Sequence, residues 1–469
     1  MADIALCIHG HFYQPPREDP LTGEIPIEPG AAPYRNWNER IHAQCYYPNA
    51  LLRNFERISF NIGPTLMEWM FDFDPETQAK IIQQNQKNVE EYGVGNAMAQ
   101  AYNHTILPLA SLQDKITQVR WGIADFEYRF GHPPEGMWLP ETAVDDETLT
   151  VLVNCGIRYT LLAPWQADSS ELDSSQPYRV DLQNNRNIAV FFYNQDLSTR
   201  ISFDPASTVN ADRFLREYVF PKFRLEGEAP HAQLLLISSD GELYGHHQAF
   251  RDKFLAYLLG GALKGQNVEM TYPARWIRKH PPEMEIKVKQ ATSWSCHHGV
   301  LRWSGSCNCT PNSGWKQPFR HALNVLAGAI DDAYLGVLGN RMEDPWELRH
   351  RYISVVHGEV RLEELVSQLC HWSPNGRELE KLQYLLHAQY ERQRMFTSCG
   401  WFFDDFDRIE PKNNTAYAAQ ATWLTRMATG IDLSEIAGEE LEKVESWRTG
   451  LKADDVFMKH LQRARRTWE

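Results

Sequence analysis

Short apolar runs that end in polar residues recur along the first part of the chain: ADIALCIHGHF, ISFNIG, GVGNAMAQAYNHTILPL, EGMWLPET, IRYTLLAPWQ, IAVFFYNQDLSTRISF and QLLLISSDGELYGHH. Apolar runs of this length between turn signals read as strands buried on both faces. Amphipathic stretches with helical periodicity alternate with them, as in PETQAKIIQQNQKNVEEYG, LASLQDKITQVRWGIADFEYRFG and DDETLTVLVNCG. Strand followed by helix, repeated, predicts a parallel sheet or barrel of the α/β class. A barrel is preferred, because so many strand ends carry polar or aromatic groups that must converge on one face. Two connections, from Pro15 to about Tyr47 and from about Gln166 to Asn187, are long and rich in Pro, Ser, Asp and Asn. Connections of that length usually act as lids or binding loops. After about Gln290 the strand rhythm stops, and from Trp315 onward the periodicity is helical, as in PFRHALNVLAGAIDDAYLGVL and RELEKLQYLLHAQYERQRMF. The expected organisation is a catalytic barrel over 1–290, with long loops near 15–47 and 166–187, and a mainly helical domain over 291–469 that contributes to the cleft.

Composition narrows the function. With 469 residues and a formal net charge of −14, the chain has material for two or three domains and lacks the basic footprint of a nucleic-acid binder. No apolar stretch approaches the ~20 residues of a membrane helix, and the N-terminus has no basic segment followed by a cleavage site. The expectation is a cytoplasmic protein with no membrane and no nucleic-acid partner; nothing in the pattern speaks to its oligomeric state. Eight cysteines in a chain this long, several within apolar runs (Cys7, Cys155, Cys370), read as buried thiols rather than a disulfide framework. Fifteen tryptophans and nineteen tyrosines suit either a heavy aromatic core or flat apolar faces offered to a ligand such as a sugar ring.

The chemistry gathers at strand ends. His9 and His11 share one face of the first strand at a period of two, near its C-terminal end, where α/β folds place their sites. They could ligate a metal or hydrogen-bond something neutral and polar. In GMWLPETAVDDETL, Glu141 follows an apolar run and a proline; its ordinary reading is an acid favoured by a helix N-terminus. In LLLISSDGELYGHH, a buried strand gives way to Asp240, Gly241 and Glu242, then His246 and His247, although Asp-Gly is commonly only a turn. Trp138 beside the first acid and histidines beside the second raise both above those readings. Two convergent carboxylates in an aromatic, histidine-lined pocket are what glycoside hydrolysis requires.

Four of these stretches resemble motifs of glycoside hydrolase family 57, and the resemblance extends over most of the chain. HGHFYQPP resembles its first motif, a His-Gln-Pro closing the first strand, with Phe12 and Tyr13 inserted. AYNHTILPL resembles the second, with His104 where members carry a glutamate or histidine. MWLPE resembles the third, whose glutamate is the nucleophile, which implies Glu141. SSDGELYGHH resembles the fourth, whose aspartate is the general acid/base, which implies Asp240, with Glu242 and His246 as sugar-contacting neighbours. The resemblance implies an incomplete (β/α)7 barrel followed by a helical domain, and a retaining enzyme acting on α-glucans as amylases, branching enzymes and glucanotransferases do. SWSCHHGVLRW and TSCGWFFDD depart from those well-studied types and mark a separate branch. Whether water or a sugar hydroxyl accepts the glycosyl group is not legible.

Related barrel enzymes, the polysaccharide deacetylases and family 38 mannosidases, use a metal at this rim, so a metal-dependent deacetylase is one alternative; a non-catalytic glycan-binding protein is another. The deacetylase ligand pattern is missing, since no H-x-x-x-H occurs in the sequence. The expectation is therefore no cofactor and no metal, with His11 and Gln14 bonding sugar hydroxyls and His9 supporting them or packed. Trp165, Trp294 and His298 are further candidates for the cleft, with interdomain packing as the competing reading. Cys296, Cys307 and Cys309, with His297 and His298, admit two readings: a tight loop with buried thiols, which is the default, or a Cys/His zinc site of nonstandard spacing.

Overall fold

The computed structural model describes residues 3–224, 231–370 and 372–468. The chain forms two compact units: Met1–Gln14, Ile27–Gln100 and Phe126–Trp294 make the first, and Pro15–Pro26, Ala101–Asp125 and Ser295–Glu469 the second.

The first unit is built on strands β1 (Ile4–Phe12), β2 (Ser59–Ile62), β3 (Ala97–Gln100), β4 (Met137–Trp138), β5 (Tyr159–Leu162), β6 (Tyr178–Leu182), β7 (Arg186–Phe192), β8 (Gln233–Asp240) and β9 (Glu269–Met270). Their order is β4-β3-β2-β1-β8, all parallel, with β9 pairing the start of β1, and a second sheet runs β5-β7-β6. A parallel bridge between Gly136 and Tyr159 joins the two sheets. At the other side the Asn194 amide donates to the Leu236 carbonyl at 2.7 Å, yet β7 and β8 form no ladder among the described residues. Among the described residues, seven of the eight parallel strands, all but the short β9, thus curve around an open seam, the incomplete (β/α)7 barrel. Trp138, Tyr159, Leu161, Phe191, Leu234, Leu236 and Trp276 pack its core.

The amphipathic stretches fold as read, into helices Pro75–Tyr92, Leu112–Phe130 and Asp146–Asn154. Two connections differ from the expectation of plain loops. From Trp37 the first becomes helical, with Asn36 accepting from the Glu39 amide at 3.0 Å, an N-cap whose Asn-x-x-Glu signature stands in the sequence. The second contains β6, antiparallel to β7 on the sheet's edge.

The second unit is helical, with long members at Lys316–Leu338, Gly376–Arg394 and Ile409–Thr429. Tyr334, Leu338, Leu365, Leu382 and Leu386 fill one apolar core. Beside it lies a buried charge network: Asp114 accepts from Arg392 Nη1 at 2.7 Å and Gln393 Nε2 at 2.8 Å, and Arg392 Nη2 reaches Asp331 at 2.6 Å. Among the described residues no helix is long and apolar enough to cross a membrane.

Candidate active site

Parallel strands bring their C-terminal ends to one rim, and in the first unit those ends are polar. Register sets His11 of β1 opposite Asn61 of β2 on one side and Asp240 of β8 on the other, while Gln100 of β3 faces Trp138 of β4. His9 has both ring nitrogens in hydrogen bonds, Nδ1 to Ser59 Oγ at 2.9 Å and Nε2 to Asn61 Oδ1 at 3.2 Å. Asn61 Nδ2 lies 2.9 Å from His11 Nδ1 and 2.8 Å from Gln100 Oε1. One arrangement satisfies all of these: His9 donates from Nε2, Asn61 donates to His11 Nδ1 and to Gln100, and His11 carries its proton on Nε2. Burial holds both imidazoles neutral, pushing each down to about 3. Trp138 stacks on both, at ring separations of 4.9 Å.

Glu141 sits three residues beyond β4 with φ 58° and ψ 20°, and Thr142 follows at φ 49°. Left-handed backbone at two successive non-glycine residues costs energy and persists only where neighbours hold it. The neighbours are present. Thr142 Oγ1 donates to Gln166 Oε1 and Gln166 Nε2 returns a bond to the Thr142 carbonyl, both at 2.8 Å. The Trp294 amide donates to the Glu141 carbonyl, and its indole Nε1 donates to Glu141 Oε2, both at 2.9 Å. Trp294 also packs edge-on to Trp138, so the carboxylate, the tryptophans and His11 form one cluster.

Asp240 ends β8 and is open to solvent, while the protein around it is dense enough to desolvate its charge. That desolvation, with the charge of Glu141 second, pushes Asp240 up to about 7. Gly241 follows because a Cβ there would lie 2.3 Å from the Phe12 ring. Glu242 is buried and accepts from the Tyr46 hydroxyl at 2.7 Å and the Tyr13 amide at 3.1 Å. Burial and the charge of Asp240 outweigh those donors and push it up to about 8. Tyr193, just past β7, keeps its proton because burial and then the Asp240 charge raise it.

Of the residues singled out from the sequence, Glu141, Asp240, His11, Trp138 and Trp294 therefore share one rim of the first unit. Glu242 and Gln14 are linked there through the Tyr46 hydroxyl, which the Gln14 side chain also meets. Trp165 packs edge-on to Tyr193 at 6.0 Å, and its Nε1 donates to the Ser293 carbonyl. His246 meets Gln44 Oε1 at 2.7 Å through Nδ1, and burial lowers it to about 4. His104 and His298 belong to the second unit. His104, at φ 55°, is buried 2.6 Å from Ser398 Oγ, and His298 lies against Cys307 and Cys309. Sequence reasoning missed Asn61, Tyr46 and Tyr193. The lone polar Asn61 in ISFNIG and the Tyr193 closing IAVFFY were visible signals; Tyr46, inside the turn of π-helix His42–Tyr46, had none.

Residues 31–289 match Glycosyl hydrolase family 57, and residues 312–469 match a Domain of unknown function (DUF3536). Alpha-amylase 1 of Dictyoglomus thermophilum is 24% identical over 217 residues, 44% of this chain; the match spans only 29% of that relative's length. Among solved structures, an exo-type maltose-forming amylase from Pyrococcus sp. ST04 aligns with a TM-score of 0.75 at 16% identity, over 97% of this chain and 88% of its own. A GH57-type branching enzyme from Pyrococcus horikoshii aligns at 0.63 with 14% identity, over 97% and 96%. The 4-alpha-glucanotransferase of Thermococcus litoralis aligns at 0.57 with 15% identity, over 91% and 60%. At these identities the structural likeness speaks to fold, and the sequence match spans more than half of the chain: it belongs to glycosyl hydrolase family 57.

Proposed function

We propose that this protein is a retaining enzyme that cleaves or transfers α-glycosidic bonds of an α-glucan or oligosaccharide. Glu141 attacks the anomeric carbon; Asp240, protonated, donates to the departing glycosidic oxygen and then takes the proton of the incoming water or sugar hydroxyl. The observation that carries this reading is Asp240 held near neutrality beside the charge of Glu141, whose own oxygen is fixed by Trp294. One carboxyl protonated and one ionised is the division of labour that double displacement needs. The α-glucan substrate class is supported by the family and by the amylases, branching enzyme and glucanotransferase that share the fold. His11, with its proton on Nε2, and Gln14 serve as neutral partners for sugar hydroxyls, and Trp138, Trp165 and Trp294 as ring faces. No step requires a cofactor. A cytoplasmic location is part of the proposal, in keeping with eight cysteines that form no disulfide.

Chemical rescue tests the roles. Asp240→Ala is expected to leave natural glycosides almost unreacted while an activated aryl glycoside still forms the glycosyl-enzyme, and azide then restores turnover with a retained product. Glu141→Ala with azide is expected to give the inverted product. The opposite pairing of variants and stereochemistry would exchange the two roles, and an inverted product from the unaltered enzyme would end the retaining mechanism.

A further inference from the structure

The segment from Ser295 to Trp315, which begins the third stretch of the second unit, folds around sulfur. Sγ of Cys296, Nδ1 or Nε2 of His298, Sγ of Cys307 and Sγ of Cys309 all lie within 4.8 Å of one another. Cys296 Sγ is 3.5 Å from Cys307 Sγ, His298 Nδ1 is 3.0 Å from Cys307 Sγ, and Cys309 Sγ is 3.5 Å from His298 Nδ1. Around a tetrahedral zinc with Zn–S near 2.3 Å and Zn–N near 2.0–2.1 Å, sulfur atoms stand about 3.8 Å apart and sulfur and nitrogen about 3.6 Å. The four donors are thus already gathered at the scale of one coordination shell, from a C-x-H…C-x-C pattern that sequence spacing alone does not single out from His297.

The backbone is arranged to hold them there. Gly299, at φ +75°, lets the chain turn directly after His298, and the Thr310 amide closes a turn onto the Cys307 carbonyl at 3.0 Å. The Cys307 amide donates to Ser313 Oγ at 3.0 Å, and the Cys309 amide points at Cys307 Sγ at 3.4 Å. Amides aimed at sulfur stabilise a thiolate rather than a thiol, as the outer shell of a zinc site does. A second, independent observation is Lys316. Its side chain is fully buried and its Nζ has no hydrogen-bond partner. The Asp404 carboxylate, whose charge acts on it, is already paired with Arg408 and Arg448. Three thiolates, one imidazole and one divalent ion sum to −1, the sign of charge that a buried lysine without a partner calls for.

We propose that Cys296, His298, Cys307 and Cys309 bind one zinc ion in a closed, structural Cys3His site of the second unit. Three soft thiolates and one imidazole suit zinc, and four protein ligands leave no open position for catalysis. Each cysteine gives up its proton on binding, so zinc uptake releases protons and ties the metal to the folding of this segment.

The full-length protein, expressed without added metal and purified without chelator, is expected to contain one zinc per chain by elemental analysis. Titrating the thiols with a mercurial should release that zinc stoichiometrically to a metallochromic dye. Exchange for cobalt should give thiolate-to-cobalt charge-transfer absorption and intense tetrahedral d–d bands, which His298→Ala, at an exposed position, should weaken without unfolding the chain. Cys309→Ser should lose most of the zinc, while Cys370→Ser, outside the cluster, should keep it. Fully reduced protein that takes up neither zinc nor cobalt would overturn the proposal, and so would zinc that persists unchanged in both His298→Ala and Cys309→Ser. These readouts do not involve glycoside turnover, so they stand or fall separately from the proposed activity.

Discussion

Two groups of desolvated carboxylates in this protein are driven in opposite directions. In the first unit Asp240, solvent-open but crowded by protein, and Glu242, buried, are pushed up to about 7 and about 8; desolvation is the leading cause, and each feels another carboxylate. In the second unit burial would raise Asp114 as well, yet the charges of Arg392 and Arg349 overcome it and bring it down to about 2. Desolvation is common to both; what differs is whether a guanidinium shares the site. The lesson is that desolvation by itself does not identify a reactive acid. A desolvated carboxyl supplied with arginines is a strut, and one supplied with a second carboxylate is a proton store.

The comparison breaks most visibly at Asp240. Asp240→Asn is expected to lower kcat on natural glycosides by roughly 10²–10⁴, the span of a lost general acid. In the unaltered enzyme the protonated acid is required, so kcat/KM should fall tenfold per pH unit above about 7, and the variant should lose that limb. If the limb persisted near pH 8, Glu242 would be the titrating group instead.

Removing a guanidinium from the strut should act on stability. Arg392→Met leaves Asp114 buried with less compensation and is expected to cost about 3–5 kcal/mol at pH 7, read from urea unfolding. Asp114 in the native protein titrates below its unfolded value of 3.8, so its contribution is present above that value and lost as pH falls through about 2. The gap between the parent and Arg392→Met should therefore narrow as pH is lowered from 7 toward 2. A gap independent of pH would mean that Arg392 acts through packing alone.

Trp294→Phe sharpens the first half of the comparison, since it keeps a ring and removes the donor to Glu141. A hydrogen bond to a charged group is worth about 1.5–3 kcal/mol, so kcat should fall on the order of tenfold or more, with the melting temperature little changed. An unchanged rate would leave orientation of Glu141 to its backbone.

The smallest effect concerns Glu242. A raised folded-state value means that its contribution to stability is complete below its ordinary value of 4.5 and lost as pH rises through about 8. Glu242→Gln can accept the same donors from Tyr46 and Tyr13 without ionising, so it should melt a few degrees (roughly 4–8 °C per kcal/mol in a small domain, less in a larger one) above the parent at pH 9. No such advantage should appear at pH 4. A lower melting temperature at pH 9 would show that Glu242 is ionised and stabilising in the fold.

Local pattern determined a good deal. The apolar runs and the period-3.6 stretches mark seven of the eight parallel strands, all but the two-residue β9, and the long helices, because a strand or helix advertises its buried face in its own residues. They also place Glu141, Asp240, His11 and Trp138 at strand ends, which parallel strands must deliver to a common rim. Other features are sums over residues distant in sequence, and only the tertiary structure decided them. Residues 15–26 and 101–125 join the second unit through partners almost 300 residues or more away, such as Asp114 with Arg392 and Asp19 with Arg463. The left-handed turn at Glu141 is held by Gln166 and Trp294, and no property of PET announces it. Which of two adjacent histidines faces three sulfurs depends on a turn at Gly299. A pKa is the extreme case: the letter D at 114 and at 240 is the same, and the charge it carries at neutral pH is set by which side chains the fold packs against it.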